Sequence, residues 1–160
     1  MSYQSLLHGL VRHEIAFVVV GGVAAVLHGS ARVTNDLDIC YDPAEQNVER
    51  LAALLASWNP YPRGWEPGLP FTMDTKTFRT TPVLTLTTTE GELDLMAEVS
   101  GVGDYPAVLR ASVAMSTPAF SLKVLDLDGL VRSKRATGRE KDLAQLPELE
   151  ALRALRRRLT

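Results

Sequence analysis

The sequence predicts one domain of mixed helices and strands, because two kinds of apolar periodicity alternate along its 160 residues. Helical spacing marks the start, a middle segment and the tail, whereas short apolar or alternating runs between them indicate strands. A chain of this length with 46% hydrophobic residues can bury one core more comfortably than two. We therefore expect a single α/β domain over residues 1–160, with 126–160 as a helical tail.

Composition narrows the functional classes only a little. The formal net charge of −2 gives no overall attraction to nucleic acid or to an anionic membrane. The single cysteine, Cys40, excludes an internal disulfide and a cysteine-based zinc cluster. Since no apolar run is long enough to span a bilayer and no cationic-apolar leader is present, the sequence predicts a cytoplasmic protein without a membrane partner.

The amino-terminal elements follow from spacing and from glycines. Apolar residues at helical spacing predict a helix over Tyr3–His13, and the apolar run Ala16–Val20 is typical of a buried strand. The pair Gly21-Gly22 is expected to break that strand before a helix over Val23–His28. Gly29 then stands where helices commonly end in the left-handed conformation.

The next strand, Asp36–Tyr41, carries the first chemical signal. Side chains alternate across a strand, so Leu37 and Ile39 point to one side while Asp36 and Asp38 point to the other. Two carboxylates therefore share one face of a strand whose other face is apolar.

The remaining chain predicts a helix, a loop, a hairpin and a helical tail. Glu45–Ser57 has one apolar side, and the proline-rich segment Asn59–Pro70 is expected to be an ordered surface loop. Val83–Thr88 and Glu92–Ala97 flank a short glycine-containing connection, which indicates a hairpin. In the tail, the expected helix cap is Asp126, the expected helix end is Gly138, and Pro147 is expected to separate the last two helices.

A third carboxylate has the same setting as the first two. Asp94 lies between Leu93 and Leu95, so it faces away from the core and is expected to lie beside Asp36 and Asp38. Converging carboxylates suit a pair of magnesium ions about 3.5–4 Å apart, of the kind that activates a hydroxyl and neutralises a leaving pyrophosphate. The alternatives are that Asp94 is only an outward hairpin residue, or that Glu92 is the ligand instead.

The glycine pair predicts a seat for a polyphosphate. A strand that ends in Gly21 and Gly22 before a helix offers backbone N–H groups to phosphate oxygens without side-chain obstruction. Ser30, Arg32 and Thr34, on the segment leading to the aspartate strand, can add contacts to the phosphates. The alternative for Arg32 is an ion pair with a neighbouring carboxylate.

Two stretches of the chain resemble a known family. The run Val19–Asp38 looks like the glycine-pair, spacer and Asp-x-Asp signature of DNA polymerase β-type minimal nucleotidyltransferases, and most resembles their AbiEii-like bacterial branch. Lys134–Leu143 resembles a helix-turn motif found downstream in that branch. The two motifs and Glu92-Leu93-Asp94 follow the family's order and together span most of the chain.

The resemblance implies a fold and a set of residue roles. The fold would be a polymerase β-type α/β fold, with a small, mixed, curved sheet flanked by helices and a helical carboxy-terminal tail packed on it. Gly21 and Gly22 would hold the nucleotide phosphates. Asp36 and Asp38 would hold two Mg²⁺ ions, with Mn²⁺ as a substitute, and Asp94 would hold the acceptor-side ion.

The later motif implies further contacts. Lys134 and Arg139 would meet the nucleotide, and Asp142 would support them by pairing or orienting. Without the resemblance, it is equally expected that both basic residues only stabilise the carboxy terminus of a helix through their positive charge. Trp58 and Trp65 offer rings that can stack on a base, although closing the core is the simpler expectation for both.

The predicted activity is transfer of a nucleoside monophosphate from an NTP to an acceptor hydroxyl, with release of pyrophosphate. The acceptor would be RNA such as tRNA, a protein or a small molecule, and the family context is a toxin–antitoxin or phage-defence system with an antitoxin or other partner, or a homodimer. Two alternatives stay open from the sequence. One is a non-catalytic nucleotide- or partner-binding module, and the other is a hydrolase that uses the same acids with water.

Overall fold

A computed structural model describes residues 2–159 of the chain. In this part of the chain the helices are α1 (Tyr3–Arg12), α2 (Gly21–Leu27), α3 (Glu45–Ser57), α4 (Thr75–Thr80), α5 (Tyr105–Arg110), α6 (Leu127–Thr137), α7 (Glu140–Leu143) and α8 (Leu146–Arg158). None of them is both long enough and apolar enough to cross a membrane.

A mixed sheet forms the centre of the molecule. Its strands are β1 (Phe17–Val20), β2 (Asp36–Tyr41), β3 (Tyr61–Pro62), β4 (Val83–Thr88), β5 (Gly91–Met96), β8 (Ser112–Ser116) and β9 (Ser121–Leu125). Their spatial order is β3-β4-β5-β2-β1-β9-β8, while β6 (Glu98–Val99) and β7 (Gly103–Asp104) form a separate small ribbon. The expected mixed α/β architecture, with a sheet flanked by helices and a helical carboxy-terminal end, is confirmed.

Strand direction decides which residues meet at the sheet centre. β2 pairs antiparallel with β1 and parallel with β5, and β5 pairs antiparallel with β4. The parallel pairing of β2 with β5 lies between two antiparallel hairpin-like pairings, and it brings residues 36–40 beside residues 92–96.

The core holds the apolar sides of these strands. Leu37 and Ile39 of β2 and Leu93 and Leu95 of β5 have no exposed surface. Helix α1 contacts both strands. Burial of four large aliphatic side chains contributes about 1.5–3 kcal/mol each before chain entropy is counted, and it fixes the strand register. Because the register is fixed, the polar residues between them must lie on the opposite face.

The helical end of the chain is set by its caps. Asp126 accepts a hydrogen bond from the Gly129 amide at 2.7 Å, and Gly138 ends α6 with a left-handed φ of 63°. Helix α6 packs on α8 and on α2, so the carboxy-terminal helices lie against the sheet's helical layer.

Two local expectations need correction. Gly21 and Gly22 end β1 as expected, but they form the first turn of α2 and do not precede it. The loop 59–70 contributes the edge strand β3 to the sheet. The expected break between the last two helices is present, and Pro147 lies in the first turn of α8, where its missing N–H leaves no helix bond unmade. The segment 98–125, which carries α5, β8 and β9, showed no periodicity strong enough to predict them.

Candidate functional site

The register places the predicted acids on one face of the sheet. Asp38 of β2 lies directly opposite Asp94 of β5, and Asp36 lies opposite Glu92. The alternate residues Leu37 and Leu93 are fully buried, so all four acids emerge on the other side. The structure therefore brings Asp38 and Asp94 into contact and leaves Asp36 beside them.

Crowding of like charges changes the acidity of Asp38. Burial, the charge of Asp94, a hydrogen bond with Asp94 and the charge of Asp36 together raise the pKa of Asp38 to about 7. Lys134 opposes these effects with its positive charge. In the absence of a bound metal ion, Asp38 is therefore protonated in part of the molecules near neutral pH.

An arginine that the sequence did not reveal stands beside the pair. Arg63 follows β3, and its guanidinium makes an ion pair with Glu92 and places Nη2 at 2.9 Å from Oδ1 of Asp94. Nη2 also donates to the Leu86 carbonyl at 3.1 Å. The only sequence signal was an arginine in a proline-rich loop, and nothing in that context connects residue 63 with residue 94.

Glu92 is occupied by these neighbours. Its Oε2 accepts hydrogen bonds from Arg63 and, at 3.0 Å, from Thr87. Glu92 is thus held against the β3–β4 side of the sheet. Of the two candidate ligands on β5, Asp94 is the one that lies opposite Asp38.

The donors suit a hard divalent cation, although the acids are not gathered as a three-ligand cluster. Among residues 2–159 no three His, Cys, Asp or Glu side chains are arranged to hold a metal ion. Oδ1 of Asp94 is buried and has no hydrogen-bond partner of good geometry among residues 2–159, although it forms an ion pair with Nη2 of Arg63 at 2.9 Å. Two carboxyl groups in contact offer the oxygen ligands that Mg²⁺ prefers, so Asp38 and Asp94 are the residues that would hold it.

The glycine pair abuts this acid face. Gly21 has a φ of 66°, and a Cβ atom at this position would lie only 2.1 Å from Oδ2 of Asp38. A Cβ atom on Gly22 would lie 3.0 Å from Oγ1 of Thr34. Helix α2 therefore begins against the Asp38 carboxylate, and no side chain caps that end of the helix. Gly21, Gly22 and Thr34 lie together beside the acids.

Ser30 and Arg32 point elsewhere. Oγ of Ser30 donates to Glu148 of α8 at 2.6 Å, the Ala31 amide donates to the same carboxylate at 3.1 Å, and Nε of Arg32 lies 3.9 Å from it. These hydrogen bonds and the charge of Arg32 lower the pKa of Glu148. For Arg32 the structure shows the alternative, an ion pair with a neighbouring carboxylate, and both residues tie the 30–35 loop to the tail.

The residues of the later motif form a second cluster. Asp142 is 1% exposed and accepts hydrogen bonds from Thr137 and from Arg139 Nε, each at 2.7 Å, while Lys134 Nζ lies 3.4 Å away. Burial alone would raise the pKa of Asp142, but the hydrogen bonds from Arg139 and Thr137 and the charge of Lys134 hold it well below its usual range.

Lys134 connects the two clusters. Its ammonium pairs with Asp142 and its charge also lowers the pKa of Asp38. Arg139, by contrast, is engaged by Asp142 through Nε and Nη2. Of the two basic residues, Lys134 is the one whose charge reaches the acid face.

The two tryptophans have different positions. Trp58 is 7% exposed and belongs to the core, as expected, whereas Trp65 is 50% exposed and the expectation of a core position was wrong for it. His28 is buried and donates from Nε2 to the Leu125 carbonyl at 2.8 Å, while its Nδ1 has no hydrogen-bond partner among residues 2–159.

No protein-family model matches the chain, and none of the curated proteins compared with it gives a significant match. Among solved structures, the chain is similar to a protein of Thermotoga maritima whose description as a nucleotidyltransferase is provisional. The two are 16% identical, with a TM-score of 0.49, and the match covers 99% of this chain and 96% of that one.

Proposed function

We propose that this chain is a magnesium-dependent nucleotidyltransferase of the polymerase β type. The observation that carries the proposal is the pairing of Asp38 with Asp94 across two parallel strands, directly against the glycine pair. Two carboxyl groups held in contact in a partly buried site favour a divalent cation. The adjoining glycine backbone can accommodate phosphate oxygens.

Each residue has a distinct part in the proposed reaction. Asp38 and Asp94 supply the carboxylate oxygens, and Asp36 on the same face supplies a further one. Gly21 and Gly22 admit the triphosphate, and Lys134 is placed to offset negative charge near Asp38. Bound Mg²⁺ would supply Lewis-acid activation of the acceptor hydroxyl and neutralise the leaving group.

The proposed step forms one bond and breaks one. The acceptor hydroxyl oxygen bonds to the α-phosphorus of the NTP, and the bond from that phosphorus to the oxygen bridging to the β-phosphate breaks. Pyrophosphate leaves with the electron pair, and the hydroxyl proton passes to a carboxylate or to water.

The order of the motifs supports a finer assignment within this proposal. The glycine pair, Asp36-Leu37-Asp38 and Lys134–Leu143 follow the sequence of the AbiEii-like branch. We include in the proposal a role in a toxin–antitoxin or phage-defence system, with an antitoxin, another protein or a second copy as partner.

A transfer assay tests the proposed function. The protein is incubated with each labelled NTP, Mg²⁺ and a mixture of RNA, protein and small metabolites, and we expect one component to gain label while pyrophosphate is released. The double variant Asp36→Asn, Asp38→Asn should abolish labelling. Glu49→Gln, an exposed acid on α3, is the matched control and should label as the wild type does. Labelling by the double variant at the wild-type rate contradicts the mechanism.

One observation favours a non-catalytic nucleotide-binding module as the alternative. The guanidinium of Arg63 already lies against Asp94, where a cation would otherwise be needed. Calorimetric binding of an NTP with no labelled product and no pyrophosphate would support that module. Release of phosphate without any labelled acceptor would indicate a hydrolase instead.

A further inference from the structure

A groove adjoins the acid face on its β3–β4 side. Its volume is about 410 Å³, and Thr85, one of its lining residues, is the cross-strand partner of Asp94. Side chains of directly opposite strand residues have Cβ atoms about 4.5–5.5 Å apart. Arg63 also lines the groove while touching Asp94. The groove therefore adjoins Asp94, one of the two acids that the proposed function places at the reaction.

Aromatic rings form one wall of the groove. Trp65 and Phe71 line it, with ring centroids 6.0 Å apart at an interplanar angle of 83°, and Tyr61 packs edge-on against both. Trp65 remains 50% exposed although it stands at the groove. A large ring held by two neighbours but open to solvent on one side presents a rigid surface for stacking.

Hydroxyl groups and a modest charge complete the lining. The threonines that line the groove are Thr72, Thr77, Thr80, Thr81 and Thr85. The charged lining residues are Arg63, Asp74 and Lys76, and Arg63 is already paired with Glu92 and Asp94. The remaining lysine and aspartate have opposite charges. They provide no cationic track for a polynucleotide backbone, which needs several phosphate contacts.

The size of the groove agrees with a small ligand. Binding sites for small molecules have volumes of about 300–1,000 Å³ and combine apolar walls with a few polar groups. The groove lies within this range, and its lining residues Arg63 and Thr85 are direct neighbours of Asp94.

We propose that this groove is the acceptor site, and that it binds a small aromatic molecule whose ring stacks on Trp65 and whose hydroxyl group points to Asp94. The inference rests on the proposed function for the role of the ligand, but binding itself requires neither NTP nor turnover. A polynucleotide or a non-aromatic polyol is not the expected occupant.

Fluorescence and calorimetry with defined probes test the site. The probes are adenosine and N-acetyltyrosinamide as aromatic hydroxyl compounds, methyl glucoside as a non-aromatic polyol, and a single-stranded RNA oligonucleotide. The tryptophan fluorescence of the wild type should change on titration with at least one aromatic probe. The variant Trp65→Phe, which keeps only the buried Trp58, should not show that change. Binding to the full chain is measured by calorimetry.

Matched variants separate stacking from general damage to the loop. Trp65→Ala should weaken binding of the aromatic probe by at least about fivefold, the low end for loss of one stacked ring. Leu69→Ala removes another half-exposed apolar side chain of the same loop and should change the affinity less than twofold. Circular dichroism confirms that both variants are folded.

Four results overturn the inference. The first three are failure of both aromatic probes to bind, equal binding by methyl glucoside, and tighter binding by the RNA oligonucleotide than by the monomers. The fourth is an equal loss of affinity in Trp65→Ala and Leu69→Ala. Absence of aromatic binding while labelled transfer persists refutes the groove alone, whereas aromatic binding without any transfer refutes the proposed function alone.

Discussion

Asp38 is partly buried and Asp142 is fully buried, and the charges that surround these two aspartates differ in sign. Asp142 receives hydrogen bonds from Thr137 and Arg139 and lies beside Lys134, and its pKa falls well below the usual range. Asp38 faces Asp94 and has its pKa raised to about 7. Asp142 has hydrogen-bond donors and a positive charge around it, whereas Asp38 lies against a second acid.

The difference separates an acid whose charge the fold itself compensates from an acid that we propose as a metal ligand. A buried carboxylate with three donors stabilises the fold and needs no ligand. Two carboxyl groups in contact repel each other when both are charged, and Arg63 offsets this cost at Asp94 in part, whereas a bound divalent cation would offset it further. Both sites belong to motifs of the same resemblance, so only their surroundings distinguish them.

The largest expected effect separates the two sites by activity. Asp94→Asn should reduce the rate of nucleotidyl transfer at least about a hundredfold, because a charge that acts in the transition state is lost. Asp142→Asn should leave the rate per folded molecule within a few-fold of the wild type. The rate is measured with labelled NTP and normalised to the folded fraction from circular dichroism. A comparable loss in both variants would remove the distinction.

The second effect concerns stability and should appear at Asp142. Asp142→Ala removes the carboxylate that pairs with the largely buried side chain of Lys134. It should lower the free energy of unfolding by about 3 kcal/mol. Asp128→Ala, which removes an exposed acid paired with Arg153, is the control and should cost less than about 1 kcal/mol. Urea unfolding at neutral pH gives both values, and similar values for the two variants contradict this assignment.

The effect of Asp142 should also depend on pH. Because its pKa is lowered in the folded state, its contribution is present above the unfolded pKa of about 4 and is lost as pH falls further. The difference between wild type and Asp142→Ala should therefore shrink below pH about 4 in the same urea experiment.

The third effect tests how closely the glycine turn meets Asp38. Gly21→Ala should destabilise the fold by about 2 kcal/mol, since its φ of 66° is unfavourable for alanine and the new Cβ meets Asp38. Gly22→Ala has an ordinary φ and only a close approach to Thr34, so less than about 1 kcal/mol is expected. Thermal unfolding of both variants gives the comparison, and equal costs would show that Gly21 does not abut the carboxylate.

The smallest effect has the opposite sign. The pKa of Asp38 is raised, so its favourable contribution is present below the unfolded pKa near 4 and is lost as pH rises through about 7. Asp38→Asn should therefore be more stable than the metal-free wild type by about 1–2 kcal/mol at pH 8, and nearly equal to it at pH 4. Chemical unfolding with a chelator present measures this difference, and a destabilised variant at pH 8 contradicts it.

The elements around the acids were the most predictable part of the fold. The alternation in Asp36–Tyr41 and the one-sided apolar pattern of Glu45–Ser57 gave the bounds that the structure has. Asp126 and Gly138 are local caps, and a local signal is enough to place them. In the segment 98–125, the burial of β8 does not alternate regularly, and β9 is joined to the sheet by pairing with the distant strand β1, so neither strand has a clear local signal.

The site was predictable only where it depends on strand alternation. That rule placed Asp38 and Asp94 on a common face, but it could not show that Arg63 crosses from another strand to reach Asp94. Likewise, Ser30 and Arg32 lie near the acids in sequence, yet contacts with Glu148 turn them towards the tail. The local spacing of apolar and polar residues does not indicate a side-chain partner that lies more than a hundred residues away, as Glu148 does.

The most direct test of the central claim is titration of the protein with Mn²⁺ in the presence of a non-hydrolysable NTP, followed by electron paramagnetic resonance. The account predicts stoichiometric Mn²⁺ binding by the wild type and by Asp142→Asn, and strongly weakened binding by Asp38→Asn and Asp94→Asn. Wild-type protein that binds no Mn²⁺ under these conditions, or Asp38→Asn and Asp94→Asn variants that bind it as tightly as the wild type, would contradict the claim that these two acids form a cation site.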